Sequence, residues 1–147
     1  MDDIHNSIGY LLNISARLIK RNLDLKLIEF DITTSQWAIL KLLSVELTLT
    51  QAQIAEKLNS DRATCGSVID RLTNKKLVLK RMNTADRRAF DISLSQKGID
   101  IVESLTKLAS ETNKQALQGI SECDIETLYK VLHQIANNLE DKTWIGK

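Results

Sequence analysis

Apolar residues recur every three to four positions through residues 4–28 and predict a long first helix. Two later segments carry the Ser/Thr-x-x-Glu/Gln spacing of a capping box, which marks the start of a helix. Thr33 and Gln36 precede the run SQWAILKLL, and Thr50 and Gln53 begin the run QAQIAEKL. The pattern therefore predicts three helices in the first sixty residues, the third of them short.

A fourth helix is predicted over about residues 61–75. Its apolar residues project to one side, and the opposite side is small and polar. The inward set is Cys65, Val68, Ile69 and Leu72, and the outward set is Ala63, Gly66, Ser67, Asp70 and Asn74. Small side chains on an exposed helix face let its backbone approach a partner closely.

The period then changes from helical spacing to strict alternation over residues 77–82 and 89–94, which predicts two strands. The connection NTADRR, residues 83–88, exceeds the two-residue loops that hairpins prefer, so its tip should project. Ser95 is a cap for a fifth helix over about 96–118, which Gly119 ends. Ser121 then starts a sixth helix with heptad-like spacing in Ile125, Leu128, Leu132, Ile135 and Leu139.

The predicted order ααααββαα is mainly α with a small β-hairpin wing, a winged helix-turn-helix. The 147 residues fit one domain, 1–147. Within it we expect a winged helix-turn-helix lobe at about 33–97. Helices at about 1–30 and 119–147 carry apolar stripes that the lobe would not cover, and we expect them to form a dimerisation region.

The net charge of +1 conceals an asymmetry along the chain. Residues 50–97 hold ten Lys and Arg against five Asp and Glu, a net +5, and the rest of the chain has a net −4. A basic middle segment suggests a polyanionic partner, although chance fluctuation of solvated charges is an alternative. Neither a signal peptide nor a membrane span is visible, so a cytoplasmic protein without a membrane partner is expected.

Double-stranded DNA is the polyanion that this arrangement suits, because its major groove admits one α-helix. We predict that the fourth helix contacts bases and that the wing arginines enter the minor groove, with Asp86 bracing one of them by a salt bridge. The predicted DNA-binding residues are Thr50, Gln51, Ser60, Arg62, Ala63, Thr64, Gly66, Ser67, Arg71, Lys75, Arg87 and Arg88. Of these, Thr50, Gln51, Arg71 and Lys75 are expected to hold phosphates.

The run LTQAQIAEKLNSDRATCGSVIDRLTNKKLVLKRMNTADRRAFDISLSQKG resembles the core of the MarR family of bacterial transcription regulators. The resemblance rests on the wing triplet Asp86-Arg87-Arg88 and on the pattern of Leu94, Ser95 and Gly98 after it. It implies a homodimer, a palindromic operator, and release of DNA by a small-molecule effector, often an aromatic acid, or by an oxidant. One departure is Thr84, where many members have proline.

Several residues have two interpretations. Arg17 and Trp37 are candidates for a ligand pocket, but Arg17 also suits a solvated face and Trp37 also suits the core. Cys65 suits a buried structural thiol better than a redox sensor. Asp70 would repel phosphate, so we expect it to orient Arg62 or Arg71, or to pair with a lysine of the hairpin.

No catalytic set, glycine-rich phosphate loop or metal-ligand spacing is visible, so neither an enzyme nor a cofactor or metal is predicted. We therefore expect a sequence-specific, ligand-responsive transcription regulator, and the resemblance implies that it is a repressor, as most members of such families are. The alternative is a winged-helix module for protein–protein contact, which a salt titration distinguishes from DNA binding.

Overall fold

The computed structural model describes residues 3–140. Six α-helices and three strands follow one another in the order α1, α2, β1, α3, α4, β2, β3, α5, α6. The helices are α1 (Ile8–Leu27), α2 (Thr34–Glu46), α3 (Gln51–Lys57), α4 (Arg62–Asn74), α5 (Gln96–Ala116) and α6 (Glu122–Leu139). The strands are β1 (Thr48–Thr50), β2 (Val78–Met82) and β3 (Phe90–Leu94), and short 3-10 turns flank α1 at Ile4–Asn6 and Ile28–Phe30.

The helix starts that the sequence predicts are confirmed by their hydrogen bonds. Thr33 and Thr50 each accept the backbone N–H of the glutamine three residues later, and each glutamine side chain accepts the N–H of its threonine. The Ser121 side chain accepts the N–H of Asp124 at the start of α6. Gly119, with φ of +81°, stands where the chain turns between α5 and α6.

The predicted fold class is confirmed, and the structure adds a strand that the sequence pattern did not predict. The sheet is antiparallel with order β1-β3-β2, so β3 is central. Leu49 lies opposite Ile92, and Lys80 lies opposite the same residue on the other side. The additional strand, β1, pairs with β3 and leads directly into α3, so it holds the base of the hairpin beside the helix-turn-helix.

Residues up to Thr112 form one compact unit, and residues from Asn113 form a second. The core belongs to the first unit and combines all four of its complete helices with the sheet. Its fully buried side chains include Leu27, Leu40, Leu43, Ile54, Ile69, Leu72, Ile92 and Leu105. Contributions from every element explain why the helix-turn-helix and the wing behave as one lobe.

The helices α1 and α6 each leave several apolar side chains exposed in the single chain. On α1, within the first unit, the exposed set is Ile8, Leu11, Leu12, Leu18, Ile19 and Leu25. On α6, within the second unit, no residue is buried, and Leu128, Val131, Leu132 and Leu139 are exposed. Among the described helices, none is both long and apolar enough to cross a bilayer.

Candidate nucleic-acid interface

The helix α4 divides into an apolar side and a polar side, as its sequence predicts. Cys65, Ile69 and Leu72 are buried. The exposed residues at its N-terminal half are Arg62, Ala63, Thr64 and Ser67, and Arg71 is exposed one turn further on. The predicted base-contacting face is therefore open, with Ser60 half-buried in the turn that precedes it.

Asp61 caps α4 and accepts a hydrogen bond from the Thr64 hydroxyl, a group that the sequence predicts to contact DNA. Its carboxylate accepts the backbone N–H of Thr64 at 2.8 Å and the Thr64 hydroxyl at 2.7 Å. These bonds, the side-chain bond foremost, hold the pKa of the Asp61 carboxyl below its ordinary value. The Thr64 hydroxyl thus donates inside the protein, and towards a base it retains only acceptor capacity.

Gly66 is small for a reason that differs from the predicted one. A Cβ at this half-buried position would lie 2.6 Å from Nε2 of Gln51, so the start of α3 lies directly against α4. The missing side chain is therefore used in packing within the helix-turn-helix. Gln51 is half-buried as a result, and Thr50 beside it is half-buried with its hydroxyl oxygen accepting the Gln53 N–H at 3.2 Å.

Lys75 does not point its ammonium group outward, contrary to the predicted phosphate contact. Its Nζ donates to the backbone oxygen of Asp31 and, at 3.1 Å, to Oε1 of Gln36. The carboxylate of Asp31 lies 3.4 Å from the same nitrogen. An ammonium group has three donors; two of them form these hydrogen bonds, and the Asp31 carboxylate adds an ion pair. The sequence gives no sign of these contacts because both partners lie about forty residues earlier in the chain.

The wing turn is organised by Asn83, a residue that we did not single out from the sequence. Its side-chain oxygen accepts the backbone N–H groups of Ala85 and Asp86, both at 2.9 Å. Its side-chain nitrogen donates to the carboxylate of Asp91 at 2.8 Å. Asparagine commonly closes turns in this way, so the signal was present in the sequence NTAD.

The arginine pair at the tip is solvent-exposed, as predicted. Asp86 supports the tip through the backbone, because its carboxylate accepts the N–H of Arg88 at 2.9 Å. The predicted salt bridge is not formed, since neither arginine lies within ion-pair distance of Asp86 among the pairs found in residues 3–140. Arg87 and Arg88 therefore keep their guanidinium groups available to an outside partner.

A lysine connects the wing to α4. Nζ of Lys80, on β2, lies 4.6 Å from the ring centre of Phe90 and 3.7 Å from the carboxylate of Asp70. Of the roles considered for Asp70, pairing with a hairpin lysine is the one the structure supports. Because Asp70 belongs to α4, this contact links the wing to that helix.

A groove of about 620 Å³ lies along α1 and the turn that follows it. Its polar lining includes Arg17, Lys20, Arg21, Asp24 and Thr33. Its apolar lining comprises Ile14, Leu18, Leu25, Ile28 and Ile32. Trp37 does not line this groove and is buried in the core, so of its two interpretations the structure supports the core one.

One acidic residue of the groove joins α1 to α2. The Asp24 carboxylate accepts the backbone N–H of Thr34 at 2.9 Å, accepts the Thr34 hydroxyl, and pairs with Lys20 at 2.8 Å. Burial acts to raise the pKa of Asp24, but the bonds from Lys20 and Thr34 outweigh it and lower that pKa below its ordinary value. Arg17 and Arg21 have no ion pair within the described chain.

The two thiols of the chain differ in their exposure to solvent. Cys65 is buried and Cys123 is exposed. Burial, reinforced by the nearby Asp61 carboxylate, raises the pKa of the Cys65 thiol. A raised pKa leaves less thiolate at neutral pH, which supports a structural role for Cys65.

Comparisons with known proteins agree with this geometry. The MarR family model matches residues 32–90. A probable transcriptional regulator from Pseudomonas aeruginosa is 28% identical, with a TM-score of 0.83 over 90% of this chain and 99% of that one. S. aureus MepR, solved in complex with DNA, is 28% identical, with a TM-score of 0.82 over 90% and 98%. A mutant of E. coli MarR in complex with operator DNA is 22% identical, with a TM-score of 0.83 over 92% and 99%.

The matched segment runs from Ile32, before α2, to Phe90, the first residue of β3, and so contains α3, α4 and the whole wing turn. The solved structures extend the agreement in fold to about nine-tenths of the chain. In its matched segment and in its fold, the chain therefore resembles the MarR family.

Proposed function

We propose that this protein is a MarR-family transcription regulator that binds a palindromic DNA operator as a homodimer and represses the genes beside it. The observation that carries the proposal is the pairing of an open, small-faced helix with an exposed arginine-tipped wing in one packed lobe. The same segment, residues 50–97, has a net charge of +5. Sequence-independent attraction to phosphates follows from that charge.

In this proposal α4 enters the major groove and its exposed N-terminal half contacts base edges. The contacting residues are Ser60, Arg62, Ala63, Thr64 and Ser67, with Gly66 acting through packing on Gln51. Thr50, Gln51 and Arg71 contact phosphates on either side of the groove. Arg87 and Arg88 reach the adjacent minor groove, where the negative potential attracts guanidinium groups.

The proposed homodimer follows from the uncovered apolar side chains of α1 and α6. Contiguous apolar patches of this kind on a monomer commonly mark an interaction surface. A two-fold dimer would present two copies of α4 to successive major grooves, about 34 Å apart along the duplex. It would also double the number of phosphate contacts.

The groove along α1 is the proposed effector site. Its apolar lining suits a small aromatic ring, and Arg17 and Arg21, which form no ion pair within residues 3–140, offer two cations to a carboxylate. Ligand binding there would alter the distance between the two copies of α4. Operator affinity would then fall, and the size of the fall is set by how much more tightly the ligand binds the altered conformation than the DNA-binding one. Benzoate and 4-hydroxybenzoate are suitable first probes.

The test begins with selection of bound sequences from a random duplex library by the purified protein. The expected product is a palindrome whose half-sites are about one helical turn apart. Operator affinity should then fall steeply between low and moderate salt, with a log–log slope set by the number of phosphates neutralised. Failure to retain any duplex at low salt would reject the DNA-binding function and favour a protein-contact module. Sedimentation of the free protein tests the dimer separately.

A further inference from the structure

The side chain of Lys75 joins the C-terminal end of α4 to the turn between α1 and α2. Lys75 directly follows the last residue of α4. Its ammonium group contacts the Asp31 backbone oxygen, the Asp31 carboxylate at 3.4 Å and Gln36 Oε1 at 3.1 Å. The Lys75 side chain is 28% exposed.

Gln36 makes this contact more than a surface ion pair. It is 3% exposed, and its Oε1 atom also accepts the backbone N–H of Thr33 in the capping box of α2. One oxygen thus serves both the start of α2 and the end of α4. A buried oxygen held by two donors at this point has little freedom to move, so the lysine that binds it is held in place as well.

The opposite end of the same helix is held differently. At the N-terminus of α4, Asp61 provides a local cap, which shapes the first turn but contacts no other element in the bonds described above. Gln51 lies against Gly66 one turn further on. Lys75 therefore provides a polar contact between the far end of α4, the start of α2 and the turn that precedes α2.

We propose that Lys75 is a positioning residue for operator binding: it sets the orientation of α4 by binding Gln36 and Asp31, and it does not contact the DNA backbone. This inference rests on the proposed function, because it assumes that α4 lies in the major groove. A helix in that groove must place several side chains against base edges together, so a small rotation weakens all of those contacts.

The experiment compares Lys75→Met with Lys76→Met on the selected operator. Both changes remove one positive charge from adjacent positions and keep an unbranched apolar stem. Lys76 is exposed, whereas Lys75 carries the contacts described. Lys75→Met should lower operator affinity by about tenfold relative to Lys76→Met, the scale expected when hydrogen bonds to a charged group are lost.

Salt dependence separates positioning from direct phosphate contact. If Lys75 only positions α4, the slope of log affinity against log salt should be the same for Lys75→Met and wild type. A slope reduced by about one would instead identify Lys75 as a phosphate ligand and overturn the inference. Equal affinity of the Lys75 and Lys76 variants would overturn it as well.

Gln36→Met provides a second measurement, because a residue that is 3% exposed cannot itself contact DNA. Gln36→Met should also weaken operator binding, and the double variant should bind about as well as Lys75→Met alone. Losses that add fully would contradict a shared role. If the wild-type protein binds no duplex, the proposed function itself is overturned. If the wild type binds normally and the Lys75 variant binds equally well, only the positioning role of Lys75 is overturned.

Discussion

The α-carbon of Gly98 faces the backbone carbonyl of Leu77 so closely that a Cβ on Gly98 would lie 2.1 Å from the Leu77 oxygen. The same carbonyl accepts the N–H of Ser95 at 3.0 Å. The Ser95 hydroxyl donates to the Lys76 oxygen and accepts the Gly98 N–H at 3.1 Å. The spacing of Leu94, Ser95 and Gly98 thus has a structural cause, because it packs the first turn of α5 against the backbone of the two residues that precede β2.

Gly98→Ala should therefore destabilise the protein severely. The added methyl group meets backbone rather than a movable side chain, so the cost should reach or exceed the roughly 1–3 kcal/mol of ordinary overpacking. The matched control is Gly9→Ala in α1, where nothing lies within 4 Å of the added carbon. Denaturant midpoints should fall for Gly98→Ala and stay level or rise slightly for Gly9→Ala. Equal midpoints would show that α5 does not lie this close to Leu77.

The six helices and the hairpin were predictable because their signals are local. The capping boxes at Thr33 and Thr50 and the cap at Ser121 involve residues three apart, which the sequence displays directly. The strand β1 was not predictable by the same means. It has three residues, too few to show alternation, and its last residue also caps α3.

For the candidate site, prediction from the sequence was limited by contacts between residues that are far apart in the chain. The sequence predicted correctly that α4 has an open polar face and that the wing arginines lie exposed. It did not show that Lys75 turns towards Gln36, that Gly66 makes room for Gln51, or that Trp37 belongs to the core. Each of these depends on which elements become neighbours after folding, and composition and periodicity carry no information on that point.

Asn83→Ala should weaken operator binding by roughly tenfold, because the wing turn loses the three side-chain hydrogen bonds that hold it in one conformation. The melting temperature should fall only slightly, since the turn is exposed. Asn83→Asp keeps an acceptor for the two backbone N–H groups but places a second carboxylate beside Asp91. In an operator-binding titration, the affinity of Asn83→Asp should lie between that of wild type and that of Asn83→Ala. Thr84→Ala, in the same turn, is the control, and an equal loss there would contradict a specific role for Asn83.

Arg88→Ala should reduce operator affinity by at least tenfold and lower the salt slope by about one, because an exposed guanidinium that binds DNA releases a counterion. Its thermal unfolding should match wild type, since the Arg88 side chain has no ion pair in the described chain. Lys107→Ala, which removes an exposed charge from α5, controls for net charge. If both variants bind alike, the wing tip has a role other than contact with DNA.

The two cysteines should react at very different rates with a chromogenic disulfide reagent at about pH 7.5, because only the thiolate is nucleophilic. Cys123 is exposed and should be modified at once. Cys65 is buried with a raised pKa, so in the Cys123→Ser variant labelling should wait for unfolding. Rapid labelling of native Cys123→Ser would show that α4 opens readily and would revive a redox role for Cys65.

Asp24 should make the stability of the fold depend on pH in the acid range. Its folded-state pKa lies below the ordinary 3.8, so its contribution is present above pH 3.8 and is lost as pH falls through the lower, folded-state value. Wild type should therefore exceed Asp24→Asn in free energy of unfolding at neutral pH, and the difference should shrink as the solution is acidified.

Thr34→Ala tests the cause of that pH dependence, because it removes the hydroxyl donor while the backbone N–H of residue 34 still binds Asp24. It should retain part of the dependence, between wild type and Asp24→Asn. Urea midpoints measured at steps between neutral and about pH 3 would supply the three curves. A gap between wild type and Asp24→Asn that stays constant or widens on acidification would mean that the carboxylate does not join α1 to the start of α2 in its charged form.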